Sequence, residues 1–326
     1  MQGFRPPLVT AIFIVQSVAA FAADDDATDA PPPAAPHSHQ TIDLDLPPVV
    51  THVDAPLSQP RRIVVDGQGV AYIADWGGGA ILKVYPDGRS ETVAHGLLEP
   101  AGLALDSAGG LFISLHARGV PEAGSIVHLL PDGTTLPFAE GLTGPTDLAF
   151  GPDGSLYVAN YHDHSIAKVA SDGRWSLFAT GLAGPAALAF GPDGDLYCGC
   201  SIDGTVLRVG SDGSLATIAR DLPVPSDLAF DAQGRLVIAC YGRGEMSLVD
   251  PRGRARPYAI VPAGTIALAF DRSGNLLLVN WDAATLVRVT MHTKIRCPHC
   301  GGPIPLRLLR PPVIPAARPQ VDEPII

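Results

Sequence analysis

The sequence has few basic residues. Lys and Arg together number 22 against 33 Asp and Glu, which gives a formal net charge of −11. Such a chain has no basic face to neutralise phosphates, so we exclude nucleic acid as a partner. Helix-period patterns are missing, as are a glycine-rich nucleotide-binding loop and the spacing of a Ser-His-Asp triad. These absences argue against a helical fold, a nucleotide-dependent enzyme and a serine hydrolase.

Long hydrophobic runs are also scarce. The apolar run at 8–22 spans only about 15 residues, whereas a transmembrane helix needs roughly 20. Arg5 precedes the run, and Ala20-Phe21-Ala22 has the small-x-small pattern of a cleavage site. We therefore predict a signal peptide at 1–22 and a secreted or periplasmic protein with no membrane span after cleavage. An uncleaved anchor is the alternative.

Glycine and proline are abundant, and many of them mark an internal repeat. Three clear copies read GPTDLAFGPDGSLYVAN, GPAALAFGPDGDLYCGC and VPSDLAFDAQGRLVIAC. A fixed period of about 40 residues is typical of a solenoid, an array or a propeller. The six copies begin near Pro60, Pro100, Pro145, Pro185, Pro225 and Thr265.

Each repeat alternates apolar and polar residues with a period of two. The third copy predicts strands at 147–150, 156–160, 165–169 and 175–179, separated by turns that contain Asp-Gly. Four antiparallel strands per repeat form one blade of a propeller. The sequence therefore predicts an all-β fold, a six-bladed β-propeller with four antiparallel strands per blade.

The last repeat lacks the second hairpin turn. The turn is Asp-Gly at 87–88 and 132–133, but residues 291–293 are Met-His-Thr. An unpaired strand-like segment, VVTHV, stands at 49–53 before the first repeat. We predict that this N-terminal strand closes the last blade, because closure removes exposed sheet edges.

The sequence divides into four predicted regions: the signal peptide at 1–22, an acidic and Pro-rich linker at 23–47, the propeller at 48–293 and a Pro-rich tail at 294–326. The tail carries Cys297-Pro-His-Cys300, which could form a disulfide, share a metal between chains or have no role.

The repeat resembles those of the NHL-repeat and SMP-30/gluconolactonase-like six-bladed propellers, over residues 48–293. This superfold hosts lactonases, lyases, scaffolds and binding modules. The resemblance implies that oxygen ligands at the ends of second strands hold Ca²⁺ or another divalent cation, and the matching residues are Asp75, Asn160 and Asn280. Alternatively, these side chains only cap turns. The Glu that these enzymes place two residues before a blade-start Pro has no match here.

Two further columns of the aligned repeats carry unusual side chains. Two residues after the blade start, Arg62, Asp147 and Asp227 replace the small residues of the other copies. They predict either a polar ligand site at the channel mouth or a buried ion-pair cluster. The residue after each second strand is Trp76, His116, Tyr161, Ser201, Tyr241 or Trp281. This column predicts either a ring of aromatics for an apolar, cyclic or sugar-like ligand, or packing between blades.

Two functional hypotheses follow. In the first, the protein is a non-catalytic module that binds a small molecule, a protein or a peptide at the channel mouth. In the second, it is a divalent-metal-dependent lactonase, hydrolase or lyase that acts on a small or cyclic substrate, with His116 or His162 as general base. The second repeat has a longer loop at 116–124, which points to the same face.

Overall fold

The computed structural model describes residues 49–117, 120–241, 244–249 and 255–290. These residues form six sheets of four strands each, with antiparallel pairing throughout. The all-β six-bladed propeller predicted from the repeat is therefore confirmed. Within these ranges the structure has no helix long and apolar enough to cross a membrane. The predicted signal peptide, linker and CxxC tail lie outside the described residues.

The first half of the chain forms one separate strand and three blades. The strand is β1 (Val49–Val53). Blade 1 contains β2 (Pro60–Val65), β3 (Ala71–Asp75), β4 (Ala80–Val84) and β5 (Ser90–Ala94). Blade 2 contains β6 (Pro100–Leu105), β7 (Leu111–Leu115), β8 (Gly124–Leu129) and β9 (Thr135–Leu142). Blade 3 contains β10 (Pro145–Phe150), β11 (Leu156–Asn160), β12 (Ser165–Val169) and β13 (Trp175–Thr180).

The second half forms the remaining blades. Blade 4 contains β14 (Pro185–Phe190), β15 (Leu196–Cys200), β16 (Thr205–Val209) and β17 (Leu215–Ala219). Blade 5 contains β18 (Pro225–Phe230), β19 (Leu236–Cys240), β20 (Glu245–Val249) and β21 (Ala255–Ile260). Blade 6 contains β22 (Thr265–Phe270), β23 (Leu276–Asn280) and β24 (Thr285–Thr290).

The N-terminal strand closes the ring. β1 pairs antiparallel with β24, in a register that runs from Val49 opposite Thr290 to Val53 opposite Leu286. The last sheet has the order β1-β24-β23-β22, so the fourth strand of blade 6 comes from the start of the propeller. The closure predicted from the missing turn at 291–293 is confirmed.

The tight turns follow from their Asp and Gly residues. In the turn after β2, Asp66 Oδ1 accepts hydrogen bonds from the amides of Gln68 and Val70, at 2.8 and 2.9 Å. Gly69 in this turn has φ +80°, a left-handed conformation that glycine adopts at little cost. Asp106, Asp231 and Asp271 repeat the arrangement in other blades. These local bonds fix the hairpin register and hence where each second strand ends.

The hydrophobic core lies between adjacent blades. Ile73 and Leu82 of blade 1 pack in one cluster with Val279 of blade 6. Between blades 3 and 4, the Tyr157 ring meets Phe190 edge to face at 5.2 Å. Because this packing is shared around the ring, the blades hold their first and second strands in fixed positions around one channel.

Every first strand contains an irregularity beside the channel. The pairing of β10 with β11 shifts register between Pro145 and Asp147, and a similar shift follows the blade start in the other five sheets, extending from Pro100 to Leu103 in blade 2. A bulge bends a strand and re-aims the side chains at its edge. The bulges therefore decide which residues at the start of each blade face the channel.

Candidate functional site

The charged residues of the first strands meet inside the channel. Arg62 Nη2 lies 2.7 Å from Asp147 Oδ2, and Arg62 Nη1 pairs with Asp227 Oδ1. Nη2 also donates a hydrogen bond of 3.0 Å to the carbonyl of Ala186. All three charged side chains are buried. One guanidinium from blade 1 thus spans the channel to blades 3, 4 and 5, in the arrangement of a buried ion-pair cluster.

The two carboxylates also hold neighbouring blades together. Asp147 accepts the amide of Leu148 in its own blade at 2.8 Å and that of Leu188 in the next blade at 2.7 Å. Asp227 does the same with Leu228 and Leu268, both at 2.8 Å. Every carboxylate oxygen is thereby engaged, and the cluster forms a brace across the channel.

The cluster carries one positive charge for two carboxylates. Burial raises the pKa of Asp147 to about 7; the Arg62 guanidinium opposes this rise and the neighbouring Asp227 carboxylate adds to it. Burial likewise raises the pKa of Asp227, against the effect of Arg62. The folded protein therefore favours a proton on this pair at pH values where an exposed Asp is ionised.

A cavity of about 460 Å³ opens beside this cluster, and we call it the mouth cavity. Arg62 lines it, whereas Asp147 and Asp227 are not among its lining residues. The aromatic column predicted from the sequence comes together here. The lining includes all six of its members, Trp76, His116, Tyr161, Ser201, Tyr241 and Trp281, together with His162.

The rings of the mouth cavity touch one another. Trp76 lies 5.0 Å from His116 and 6.3 Å from Trp281, measured between ring centroids. His162 lies 5.2 Å from His116 and 5.3 Å from Tyr161. Such tilted and edge-to-face pairs hold aromatic side chains in place. The cavity thus has a largely preformed aromatic wall.

His116 and His162 differ in exposure. His116 is only 5% exposed, and Glu99 Oε2 lies 3.9 Å from its Nδ1. His162 is exposed to solvent. Gly144 lies between them with φ +65°, where a Cβ would overlap the His162 ring and lie 3.3 Å from His116 Nε2. The absence of a side chain at 144 lets the two imidazoles meet.

The same backbone hydrogen bond recurs at several residues of the aromatic column. The amides of Tyr161, Tyr241 and Trp281 donate to the carbonyls of residues 144, 224 and 264, at 3.0, 3.1 and 2.8 Å. The accepting residues have positive φ; two are glycines, whereas Val224 adopts φ +51°. A β-branched residue in this conformation is strained. Val224 also lines the mouth cavity, so the strain lies at the candidate site.

The sequence analysis missed one set of lining residues. Arg61, Ala186, Ser226 and Ile266 each follow the blade-start residue directly, and all four line the mouth cavity. Arg61 lies over the Trp76 ring, with its Cζ 5.0 Å from the ring centroid. The aligned repeats do contain a signal for Arg61. At the position one residue after the blade start, Arg61 is the only charged residue among the six copies.

The predicted metal ligands are engaged with the backbone or separate from the cavity. Asp75 accepts the amides of Ser58 and Gln59 at 2.7–3.1 Å, and Asn280 Oδ1 accepts the amide of Ala283 at 2.7 Å. Asn160 Oδ1 is buried and has no partner among the described residues. None of the three candidates lines the mouth cavity.

Two of the three predicted metal ligands already accept hydrogen bonds from backbone amides, which favours the turn-cap alternative for Asp75 and Asn280. The described ranges also hold no group of three or more His, Cys, Asp or Glu that could bind a metal ion.

Cys200 and Cys240 occupy equivalent positions in neighbouring blades, and both are free thiols. They end the second strands of blades 4 and 5, and both are buried. Burial raises the pKa of Cys240 to about 12, which keeps this thiol protonated and a poor nucleophile.

Comparison with solved structures supports the fold. A gluconolactonase from Xanthomonas campestris matches with a TM-score of 0.65 and 18% identity, over 74% of this chain and 89% of that one. A catalytically inactive virginiamycin B lyase variant from Staphylococcus aureus, solved with quinupristin, matches with 0.57 and 13%, over 75% and 100%. A putative glucose dehydrogenase from a Thermus species matches with 0.61 and 18%, over 74% and 100%.

Similar structures thus include lactonases and lyases, and identities this low show the fold alone. No protein-family model matches the sequence. No curated protein matches it either.

Proposed function

We propose that this protein is an enzyme that opens a cyclic ester at the mouth cavity, with His162 and His116 as its acid–base pair. The observation that carries the proposal is the contact of the two imidazoles, 5.2 Å apart, within one aromatic-lined cavity. Packing between blades needs no second imidazole at this place, whereas proton transfer to and from a bound substrate uses two such groups.

The cavity suits a compact ring. Its volume of about 460 Å³ lies within the range of small-molecule sites. Trp76 and Trp281 on one side and Tyr161 on another offer ring faces and edges for apolar contact. The brace formed by Arg62 keeps a charged, rigid group at the cavity wall. A lactone combines an apolar ring with one reactive carbonyl and fits such a lining.

The exposed imidazole of His162 is placed to act as the base, because it can return its proton to solvent. In hydrolysis, it takes a proton from water as the water oxygen bonds to the carbonyl carbon. The acyl C–O bond then breaks, and the ring oxygen leaves with a proton from His116. In elimination, His162 instead takes a proton from carbon, the alkyl C–O bond breaks, and a carboxylate and an alkene form.

The comparisons add support. The gluconolactonase among the similar structures takes its name from a cyclic ester. The virginiamycin B lyase variant is inactive with one histidine replaced by alanine. These properties belong to those proteins. For this chain they favour an enzyme over the non-catalytic module that was the first interpretation of its sequence. Export to the periplasm or the exterior remains a prediction.

The test is a screen of purified protein against lactones of increasing ring size, from aldonolactones to cyclic depsipeptides. Mass spectrometry separates the two reactions, because hydrolysis adds the mass of one water and elimination leaves the mass unchanged. Turnover of any lactone at a rate above that of heat-inactivated protein supports the proposal. If lactones bind in the cavity but none is opened, the binding-module hypothesis replaces it.

The dependence on metal is measured separately. Turnover is compared before and after exhaustive dialysis against a chelator, and then after addition of Ca²⁺ or Mg²⁺. The same comparison is made with an Asp75→Asn variant, which changes one of the three predicted metal ligands. In this structure the Asp75 carboxylate caps the backbone before β2. If chelation abolishes turnover and Ca²⁺ restores it, a cation takes part in the reaction, and this result would support the divalent-metal hypothesis.

A further inference from the structure

Among the described residues, those that line the mouth cavity include no acidic side chain. Arg61 and Arg62 are cationic, and His116 and His162 can become so. The whole chain has a net charge of −11, so this lining is opposite in sign to the rest of the protein. A binding surface whose charge opposes that of its protein favours ligands of the complementary sign.

The two arginines have different roles. Arg62 is committed to the brace, where it pairs with both Asp147 and Asp227. Arg61 is only partly buried and lies over the Trp76 ring, with its Cζ 5.0 Å from the ring centroid. Stacking on an aromatic ring holds a guanidinium in place. Because Arg61 also lines the mouth cavity, a ligand bound there would meet this cation.

Two acidic groups contact residues that line the cavity. Asp282 accepts the Tyr241 hydroxyl at 2.9 Å. Glu99 lies beside His116, at 3.9 Å from Nδ1. Neither residue lines the cavity, nor do the two carboxylates of the brace. The described side chains that line the cavity are therefore cationic or neutral.

We infer that the mouth cavity binds a carboxylate attached to a ring, with Arg61 as the residue that recognises the carboxylate and the aromatic wall as the site of the ring. The inference rests on the proposed function, since it names the class of its substrate or product: a cyclic ester that carries a carboxylate or yields one on opening. Arg61 is a specificity residue here and takes no part in proton transfer.

The test measures binding alone. Adamantanecarboxylate and its neutral amide, adamantanecarboxamide, have the same ring and differ in charge, and neither absorbs where tryptophan does. Trp76 and Trp281 line the cavity and account for two of the three tryptophans, so fluorescence titration reports occupancy. We expect the carboxylate to bind about tenfold more tightly than the amide, because charged hydrogen bonds are stronger than neutral ones.

Three variants locate the preference. Arg61→Met should bring the two affinities within about twofold of each other, and Arg61→Lys should keep part of the preference because it keeps the charge. Arg89→Met is the matched control, since Arg89 also lies over an aromatic ring, that of Tyr85, with its Cζ 4.7 Å from the centroid. It should leave both affinities unchanged.

Equal binding of the two probes by the wild type, no binding of the carboxylate, or a preference that survives in Arg61→Met would each overturn the inference. None of these results concerns turnover, so lactone opening could still be found. Conversely, a clear carboxylate preference without any lactone opening would leave the binding site assigned and remove the enzymatic proposal.

Discussion

Arg62 of blade 1 and Asp147 of blade 3 join two non-adjacent blades through a bond of 2.7 Å between Nη2 and Oδ2. The bond is buried, and the Asp147 carboxylate also accepts hydrogen bonds from the backbone amides of Leu148 and Leu188. The channel is thus braced from within beside the mouth cavity. The rigidity of the candidate site depends on this brace, because Arg62 belongs to both.

Arg62→Met should destabilise the protein by about 3–5 kcal/mol, because it leaves two buried carboxylates without their cation. The triple variant Arg62→Met/Asp147→Asn/Asp227→Asn should recover part of the loss, since it removes the buried charges, although each Asn keeps only one of the two oxygens that accept backbone amides. Urea unfolding measures both. If the triple variant is as unstable as the single one, the charge pairing is not the source of the stability.

The same cluster predicts a dependence of stability on pH. The folded-state pKa of Asp147 is raised to about 7, whereas an unfolded Asp titrates near 4. The folded state therefore binds this proton more tightly, and stability falls as the pH rises from about 4 through 7. The difference in unfolding free energy between wild type and Asp147→Asn, measured from pH 5 to 8, should show this fall. A difference independent of pH would contradict it.

Closure of the ring by β1 can be tested by truncation. A chain that starts at residue 54 lacks β1 and leaves β24 as an open edge, whereas a chain that starts at residue 48 keeps the pairing of Val49–Val53 with β24. We expect the shorter chain to unfold at lower urea concentration and to self-associate, because an open edge pairs with other chains. Size-exclusion chromatography shows the association. Identical behaviour of the two chains would mean that β1 adds little to closure.

Gly144→Ala should disturb the imidazole pair. A Cβ at 144 overlaps the His162 ring and lies 3.3 Å from His116 Nε2. Gly181→Ala is the matched control, because Gly181 also has a positive φ, +80°, but a Cβ there meets no atom within 4 Å. Both variants should lose about 1 kcal/mol of stability from backbone strain. Only Gly144→Ala should shift the histidine resonances of the pair in NMR spectra and reduce lactone opening.

Much of the fold could be predicted from the sequence, because Asp-Gly pairs mark hairpin turns in most of the repeats. Closure could be predicted too, since the turn missing at 291–293 and the extra strand at 49–53 are both visible in the sequence. The residues of the aromatic column line one cavity in the structure, because the residue that follows the second strand occupies the same position in every blade.

The roles of the two arginines could not be predicted, because they depend on a contact between distant blades and on a local register shift. Whether Arg62 serves a ligand or the brace is decided by its contact with Asp227, 165 residues away. Arg61 was missed because strict alternation puts neighbours on opposite faces of a strand. The register shift between Pro60 and Arg62 breaks that alternation, and both arginines reach the mouth cavity.

The most direct measurement is kcat/KM for the lactone that the wild type opens fastest, compared between His162→Ala and His95→Ala. His95 is an exposed histidine that does not line the mouth cavity. The account predicts a loss of at least about a hundredfold in His162→Ala, the usual contribution of a general base, and no loss in His95→Ala. Full activity in His162→Ala would contradict the assignment of the imidazole pair as the reacting groups.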